Sequence, residues 1–339
     1  MSRFVSIGMW ALIACSSSTG QIDTANNGKT EPPPPAAAGP SASAGHSLVW
    51  ADDLERVLLV NAGLGGASSP AASTPTRVWA WSGTAWSVLD SVGPPMRNLA
   101  GVAYDSRRKT LVMHGGTYDL GRSYAETWEW TRASGWRQFT GAGPGVRDHT
   151  QMAFDPVRGR AVLFGGSGND PNVAFSDTWE FDGARWERVA TTGPVGRVHH
   201  AMQYDPSLQR VVLFGGFTPG NPGLGDTWTW DGTRWSVLPP STTPRTHARM
   251  GFHRRLDRLL VLGGFGTSVT GVGVISRGEG GWSALAMNPE PSARYLPDVA
   301  YDVKRDVLVL FGGGDPNGSA LYADTWEFDG VTWRRKTGN

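Results

Sequence analysis

The pattern of apolar and polar residues repeats along the chain from about residue 46 to its end. Each copy opens with large side chains at alternate positions, such as Met202 and Tyr204 in "HHAMQY", which is typical of a β-strand. An Asp-Pro turn signal follows, and then a continuous apolar run such as "RVVLFGG", as in a strand buried on both faces. A third segment such as "DTWEF", an Asp-Gly turn and a fourth segment that opens with tryptophan complete the copy. The pattern therefore predicts four antiparallel strands per copy.

Two markers give the same period. Glycine pairs close the apolar run at intervals of 48 to 50 residues, at Gly115-Gly116, Gly165-Gly166, Gly215-Gly216, Gly263-Gly264 and Gly312-Gly313. The tryptophans of the fourth segment keep nearly the same step, at Trp86, Trp136, Trp186, Trp235, Trp282 and Trp333. A degenerate first copy, "VLLVNAG", lies upstream, which makes six copies. Repeats of this length built from short strands predict an all-β fold, a six-bladed β-propeller with four antiparallel strands per blade.

The predicted propeller covers residues 46–339. Its blades are expected at about 46–95, 96–145, 146–195, 196–243, 244–292 and 293–339. Because the chain enters with a first strand and ends with a fourth, we expect each blade to be continuous. The ring would then close by packing of blade 1 against blade 6.

The N-terminus has the composition of an export signal. A basic start at Arg3 is followed by an apolar stretch from Phe4 to Ala14, which is too short for a permanent membrane span. The quartet "LIAC", which ends at Cys15, resembles the lipobox of bacterial lipoproteins. The resemblance implies that residues 1–15 are a signal peptide ending at a lipidated Cys15. It also implies that the protein lies outside the cytoplasm, anchored to the cell envelope, and in the outer membrane if the cell has one. An ordinary signal peptide is the alternative.

Composition separates the next segment from the repeats. Residues 16–45 are rich in Ser, Ala, Gly and Pro and lack apolar periodicity, so we expect a disordered tether. The formal net charge of +1 gives no general attraction for nucleic acid or anionic membrane. We therefore expect no nucleic-acid partner, membrane contact only through the lipid, and a monomer. Cys15 is the only cysteine, so no intramolecular disulfide can form.

The repeat resembles the kelch family. The resemblance rests on "LFGG…DTWEFDGARW" and "LFGG…DTWTWDGTRW" and covers about residues 46–339. Blade 5, "VTGVGVISRGEGGW", lacks the DTW element, and blade 1 lacks a glycine pair in register. The resemblance implies a propeller of the kind found at the centre of galactose oxidase. It does not fix the function, because kelch propellers include enzymes, adaptors and binding modules.

Candidate site residues gather at one rim. Strand alternation puts the loops between strands 2 and 3 and the loops between blades on the same rim, and leaves the short turns at the other. The first strands open there with a recurring arginine, at Arg97, Arg147, Arg197, Arg245 and Arg294. Two residues later come His46, Leu99, His149, His199, His247 and Leu296, with Ala44 aligned at the arginine position of blade 1. Positions i and i+2 share a strand face, so arginine and histidine should point the same way.

These residues allow more than one interpretation. The arginines and histidines could lock neighbouring loops and blades together. Alternatively, the guanidinium groups, together with His149, His199 and His247, could hold an acidic glycan or peptide, since the guanidinium fork matches a carboxylate. Kelch adaptors grip acidic peptides with arginines at this strand start, and the resemblance implies the same here. Three imidazoles could also bind a metal, but nothing in their spacing enforces convergence, so we predict no metal and no cofactor. Tyr118, Tyr124 and Phe217 fall outside the repeat register and are predicted ligand contacts.

Catalysis has little support in the sequence. Copper-radical oxidases of the galactose oxidase type need a cysteine cross-linked to tyrosine, and Cys15 lies upstream of the propeller. Sialic-acid mutarotases are six-bladed kelch proteins that use arginine and a carboxylate, but only Asp148 and Asp298 lie near the arginines here. We therefore predict a lipid-anchored, non-catalytic module that binds a protein, peptide or glycan at the variable rim. A mutarotase or epimerase, and a structural subunit of the envelope, are the alternatives.

Overall fold

A computed structural model describes residues 39–61, 73–119, 122–170, 172–239, 244–266, 273–278, 281–286 and 289–338. Within these ranges the chain is all β and contains no helix, hence none long and apolar enough to cross a membrane. The predicted signal peptide, Cys15 and the predicted tether as far as residue 38 lie outside the described residues.

The strands form six sheets of four antiparallel strands, one per blade. Blade 1 contains β1 (Ser47–Ala51), β2 (Arg56–Val60), β3 (Val78–Trp81) and β4 (Trp86–Asp90); blade 2 contains β5 (Gly101–Asp105), β6 (Thr110–His114), β9 (Thr127–Thr131) and β10 (Gly135–Phe139). Blade 3 contains β11 (Gln151–Asp155), β12 (Arg160–Phe164), β13 (Thr178–Phe181) and β14 (Trp186–Ala190); blade 4 contains β15 (Ala201–Asp205), β16 (Arg210–Phe214), β17 (Thr227–Trp230) and β18 (Trp235–Leu238). Blade 5 contains β19 (Arg249–His253), β20 (Arg258–Leu262), β21 (Ile275–Gly278) and β22 (Gly281–Ala284); blade 6 contains β23 (Asp298–Asp302), β24 (Val307–Phe311), β25 (Thr325–Phe328) and β26 (Trp333–Thr337). A hairpin of β7 (Thr117–Asp119) and β8 (Arg122–Ser123) extends blade 2.

The predicted fold class, a six-bladed all-β propeller with four antiparallel strands per blade, is confirmed. The apolar run of each copy is the second strand, and in blade 4 its four residues Val211 to Phe214 are fully buried. A strand with no exposed face must be apolar at successive positions, which is why this segment does not alternate.

Neighbouring blades are joined by the residues that repeat. The N–H of Gly166 donates to the carbonyl of Arg197 in the next blade at 2.9 Å. A Cβ atom on Gly165 would lie 2.6 Å from that same oxygen, and both glycines have positive φ, so no other residue fits the pair. Four fourth-strand tryptophans, Trp86, Trp186, Trp235 and Trp282, donate from Nε1 to a threonine hydroxyl of the preceding blade, as in Trp186 to Thr127 Oγ1 at 2.9 Å.

Blade 1 packs directly against blade 6 and closes the ring. Gly313 N–H donates to Ser43 O at 2.8 Å, and Trp81 Nε1 donates to Glu327 Oε1 at 2.7 Å. Ser43 and Ala44 are buried in this junction, although they precede the predicted start of the propeller. Each blade is built from consecutive strands, so the ring is closed by packing and by backbone and side-chain hydrogen bonds between blades 1 and 6, and no sheet is shared by the two chain ends.

Candidate functional site

The five recurring arginines are buried at the variable rim. Their exposed fractions lie between 0 and 6% for Arg97, Arg147, Arg197, Arg245 and Arg294. In blade 4, Nη1 and Nη2 of Arg197 donate to Oδ1 and Oδ2 of Asp226 at 2.6 and 2.8 Å. The guanidinium also donates to the Gly215 carbonyl at 3.0 Å. Two parallel bonds between guanidinium and carboxylate are a strong, geometrically specific pair.

A carboxylate also pairs with the arginine in three other blades, through two bonds in blades 3 and 6 and through one bond in blade 2. The equivalent pairs are Arg97 with Glu126 at 3.3 Å, Arg147 with Asp177 at 2.9 Å and Arg294 with Asp324 at 2.8 Å. Burial raises the pKa of Asp226, but the hydrogen bond and charge of Arg197 outweigh it and leave that pKa below its usual value. Four guanidinium groups thus have a carboxylate partner inside their own blade, which favours the interpretation that they lock the structure. Ligand binding by these arginines stays a prediction.

Sequence reasoning missed the carboxylates that hold the arginines. They are the acidic residues directly before the recurring "TW" pair, in the blades that also carry the arginine. Blade 5 has the arginine without the acid, and there Arg245 bonds to the carbonyls of Gly273 and Gly263. With no carboxylate beside it, burial lowers the pKa of Arg245 to about 10. The ion pair could have been predicted from the sequence, because the arginine and the acidic residue before "TW" occur together in the same blades.

A ring of six residues with left-handed backbone closes the channel at the variable rim. It consists of Gly45, Leu99, His149, His199, His247 and Leu296, all with φ between 46° and 76°. Five backbone hydrogen bonds link neighbouring members, at every step except that from Leu99 to His149; examples are Leu296 N–H to His247 O at 2.8 Å and Leu99 N–H to Gly45 O at 2.8 Å. Non-glycine residues hold this conformation only when the surroundings impose it. We call these six residues the left-handed ring.

The ring corrects the alignment of blade 1. Gly45, and not His46, stands in register with the leucines and histidines, and Ser43, and not Ala44, takes the arginine position. His46 is one position further on, fully buried, with Nε2 3.0 Å from the Phe311 carbonyl. The expected alignment was wrong by one residue because blade 1 has neither arginine nor glycine pair to fix it.

The three predicted histidines are brought together on successive blades. The rings of His149 and His199 meet edge to face at 4.3 Å, and those of His199 and His247 stack at 3.6 Å between centroids. Burial lowers the pKa of His247 to about 3 and that of His199 well below its usual value, so both are neutral at physiological pH. Among the described residues, no three His, Cys, Asp or Glu side chains are placed to hold a metal ion. The imidazoles stack on one another and on Phe217, whose ring centroid is 5.6 Å from that of His199.

Two positions per blade vary in chemistry around this cluster, and we call them the rim platform. The first position follows the arginine, and the second follows the glycine pair. In each of blades 2 to 6 a short backbone bridge joins the two positions. The joined pairs are Asn98 and Thr117, Asp148 and Ser167, Val198 and Phe217, Thr246 and Phe265, and Tyr295 and Gly314. The platform is polar on blades 2 and 3. On blades 4 to 6 it carries aromatic rings, with Phe265 and Tyr295 stacked at 5.3 Å and Phe265 38% exposed.

Asp148 organises the polar sector of the platform. Its Oδ1 accepts hydrogen bonds from His149 Nδ1 at 2.7 Å and from Ser167 Oγ at 2.6 Å, and its Oδ2 accepts one from Ser123. Burial raises the pKa of Asp148, but these hydrogen bonds and the neighbouring His149 lower it further, to below its usual value. The carboxylate is therefore ionised at neutral pH and oriented at the rim.

The three predicted aromatic contacts have different environments. Phe217 belongs to the rim platform, in register with Phe265, so the prediction that it falls outside the repeat register was wrong. Tyr118 lies half-buried on β7. Tyr124 is only 9% exposed and covers Arg97, with its ring centroid 3.9 Å from Cζ. The prediction that Tyr124 falls outside the repeat register was wrong, since its carbonyl makes the same interblade backbone bond as those of Phe175, Leu224 and Tyr322.

A cavity of about 320 Å³ occupies the channel on the other side of the left-handed ring. Its inner end is lined by the first residues of first strands, among them Gln151, Arg249 and Asp298. Its outer end reaches the turns that follow the first strands, at Pro156 and Pro206, which are exposed. The cavity therefore opens at the rim of short turns, opposite the rim at which the sequence analysis placed the candidate site residues.

Arg249 and Asp298 are the buried charges of this cavity. Arg249 is 5% and Asp298 9% exposed, and Nε lies 3.6 Å from Oδ1. Burial raises the pKa of Asp298 to about 6, against the opposing effect of Arg249 and of two backbone N–H groups. Burial likewise lowers the pKa of Arg249. Sequence reasoning noted Asp298 but missed Arg249, because this arginine occurs in one blade only and stands outside the recurring register.

Comparison with known proteins adds no family to this picture. No known family model matches the chain, and no curated protein matches it significantly in sequence. The kelch resemblance therefore rests on the motifs, and the structure itself shows the propeller.

Proposed function

We propose that the protein is a non-catalytic binding module, held outside the cytoplasm by a lipid on Cys15, that binds a protein, peptide or glycan partner on the rim platform. The observation that carries this proposal is the contrast between the platform and the rest of the ring. The arginines, the glycine pairs and the fourth-strand tryptophans recur in five or six blades, whereas the platform changes from Asp148 and Ser167 to Phe217 and Phe265. Binding residues concentrate in such variable positions on a rigid scaffold.

The chemistry of the platform supports a ligand held by stacking and hydrogen bonds. Phe265 offers an exposed ring face, and the carboxylate of Asp148 accepts hydrogen bonds on the polar side. A glycan or a peptide with an aromatic residue presents both features. An acidic ligand, as the sequence suggested, would have to compete with carboxylates already bound to Arg147 and Arg197.

An array of neutral and acidic glycans and peptides, probed with the purified full-length chain, tests the proposal. Replacing Phe217 and Phe265 together by alanine should weaken the best ligand by at least about tenfold, since each lost ring contact costs about 0.5–1.5 kcal/mol beyond area burial. Val157→Ala, at an exposed position in the turn after the first strand of blade 3, is the matched control and should change nothing. Equal binding by all three proteins would contradict the proposal.

The membrane anchor is tested separately. In bacterial cells, Cys15→Ser should move the protein from the membrane fraction to the soluble fraction, because the lipid would have no attachment site. Ser16→Ala, next to it, serves as a control that should stay with the membrane. Persistence of the Cys15→Ser chain in the membrane would argue for a different anchor.

The two alternatives stay predictions with their own tests. A mutarotase would accelerate anomeric equilibration of sialic acid, which NMR follows directly; no acceleration over buffer would exclude it. A structural envelope subunit would bind no small molecule and would co-purify with another envelope protein.

A further inference from the structure

The central cavity is separated from the rim platform by the left-handed ring. None of the six ring residues lines the cavity, and five backbone hydrogen bonds join neighbouring members of the ring between the cavity and the variable rim. The cavity opens at the opposite rim, past the turn residues Ser106 and Arg254. A molecule in this cavity would not touch the platform. It would therefore be independent of the function proposed above.

The cavity contains a cation whose bonding is incomplete. Within the described residues Arg249 bonds to the Ala248 carbonyl through Nη1 at 3.1 Å and pairs with Asp298 at 3.6 Å, which is beyond hydrogen-bond length. Asp298 is instead held by the N–H groups of Leu48 at 2.6 Å and Val299 at 2.9 Å. Arg197, with two short bonds to one carboxylate, shows what a saturated guanidinium looks like in this protein. A buried guanidinium with spare donors favours an anionic acceptor.

Polar and apolar surfaces divide the cavity along its length. Near Arg249 the lining includes the amide of Gln151. Further out, the fourth position of every first strand is aromatic, and the six residues Trp50, Tyr104, Phe154, Tyr204, Phe252 and Tyr301 all line the cavity. Met152, Met202 and Met250 also line it. A ligand that fills this space needs a charged end and an apolar body.

We infer that the cavity is a second binding site, which takes a small organic carboxylate with an aryl or short aliphatic body from the side of the turns. The carboxylate would accept hydrogen bonds from Arg249, and the body would lie among the methionines and aromatic rings. A volume of about 320 Å³ is at the low end for ligand pockets, which limits the ligand to a small molecule.

Titration of sodium benzoate into the full-length chain, followed by NMR of methionine methyl groups, tests the site. The methyl signals of Met152, Met202 and Met250 should shift and saturate, while those of Met96 and Met113, which are buried elsewhere, should not. Benzamide has the same shape without the charge and should bind at least about tenfold more weakly, since a hydrogen bond between charged groups is lost.

Variants assign the effect to the arginine. Arg249→Leu should weaken benzoate by about tenfold or more, and Arg254→Leu, at the cavity mouth, by no more than about threefold. The Phe217→Ala and Phe265→Ala double variant should bind benzoate like the parent, so the two sites can fail independently. Absence of saturable shifts at the three methyls, or equal binding of benzoate and benzamide, would overturn the inference even if Arg249→Leu does not fold.

Discussion

Arg197 and Arg249 are both buried arginines on the channel side of blades 4 and 5, but their surroundings differ. Arg197 recurs in five blades and is held by two short bonds to Asp226. Arg249 occurs once and has an ion pair of 3.6 Å to Asp298. In a propeller each blade packs against neighbours of the same kind, so a residue that recurs in most blades is expected to stabilise the structure that all blades share. A polar residue that breaks the repeat and has no carboxylate within hydrogen-bond distance is the better candidate for function.

Of the changes considered, acid should have the largest effect on stability, because it should destabilise the whole propeller. His46, His114 and His247 are buried with pKa values lowered to about 3, and His199 and His200 are lowered as well. The unfolded chain protonates these groups near pH 6.5, so stability is complete above that pH and falls as pH drops towards 3. Each histidine should remove about 1.4 kcal/mol per pH unit in this window. Denaturant unfolding between pH 7 and pH 4.5, with proton uptake measured at the midpoint, checks this; uptake below about two protons would contradict it.

Removing a rim arginine should cost nearly as much. Arg197→Ala leaves the partly buried Asp226 without its partner, and breaking such a pair costs about 3–5 kcal/mol of unfolding free energy. Thermal unfolding should show a fall of about 10 °C. The control is Arg234→Ala, in which a 79% exposed side chain 3.6 Å from Asp231 is lost, and it should be nearly neutral. A near-neutral Arg197→Ala that loses a rim ligand would favour the ligand-binding interpretation instead.

Arg245 in blade 5 has no carboxylate partner, so it shows how much of the stabilisation by a rim arginine comes from that partner. Arg245→Ala removes hydrogen bonds to two carbonyls but leaves no carboxylate without its partner. It should therefore lower the unfolding free energy by about 1–3 kcal/mol, less than Arg197→Ala does. Chemical denaturation of both variants side by side measures the difference. Equal losses of unfolding free energy would mean that the carboxylate partners of the rim arginines add nothing to stability.

Replacing Arg249 by leucine should cause the smallest loss of unfolding free energy, and this loss should depend on pH. The folded pKa of Asp298, about 6, exceeds its unfolded value, so this group's stabilising contribution is greatest at low pH and is lost as pH rises through 6. Arg249→Leu removes the charge that opposes this rise and moves the pKa of Asp298 higher still. The destabilisation caused by Arg249→Leu should therefore grow from pH 5 to pH 8, by about 1 kcal/mol. A penalty independent of pH would show that Arg249 and Asp298 do not interact.

The sequence was sufficient for the fold, and for part of the rim. Glycine pairs, spaced tryptophans and alternating first strands are local signals that each blade repeats, so the number of blades and their strands could be predicted. The rim arginines were found for the same reason. Tyr124 was misjudged because its blade carries the additional β7 and β8 hairpin, which hides the register that it shares with Tyr322.

What the sequence by itself determined, then, is the repeating wedge: which residues are buried, where the chain turns and which side chains recur. Only the tertiary structure decided what those side chains do. Packing of blade 5 against blade 6 places Arg249 beside Asp298, some fifty residues further along the chain, and the folding of each blade brings the acid before "TW" to its arginine. The tertiary structure also brings three imidazoles together at the variable rim and opens the cavity at the rim of short turns. These contacts join residues of different strands or blades, and no local pattern of hydrophobicity records how distant positions meet.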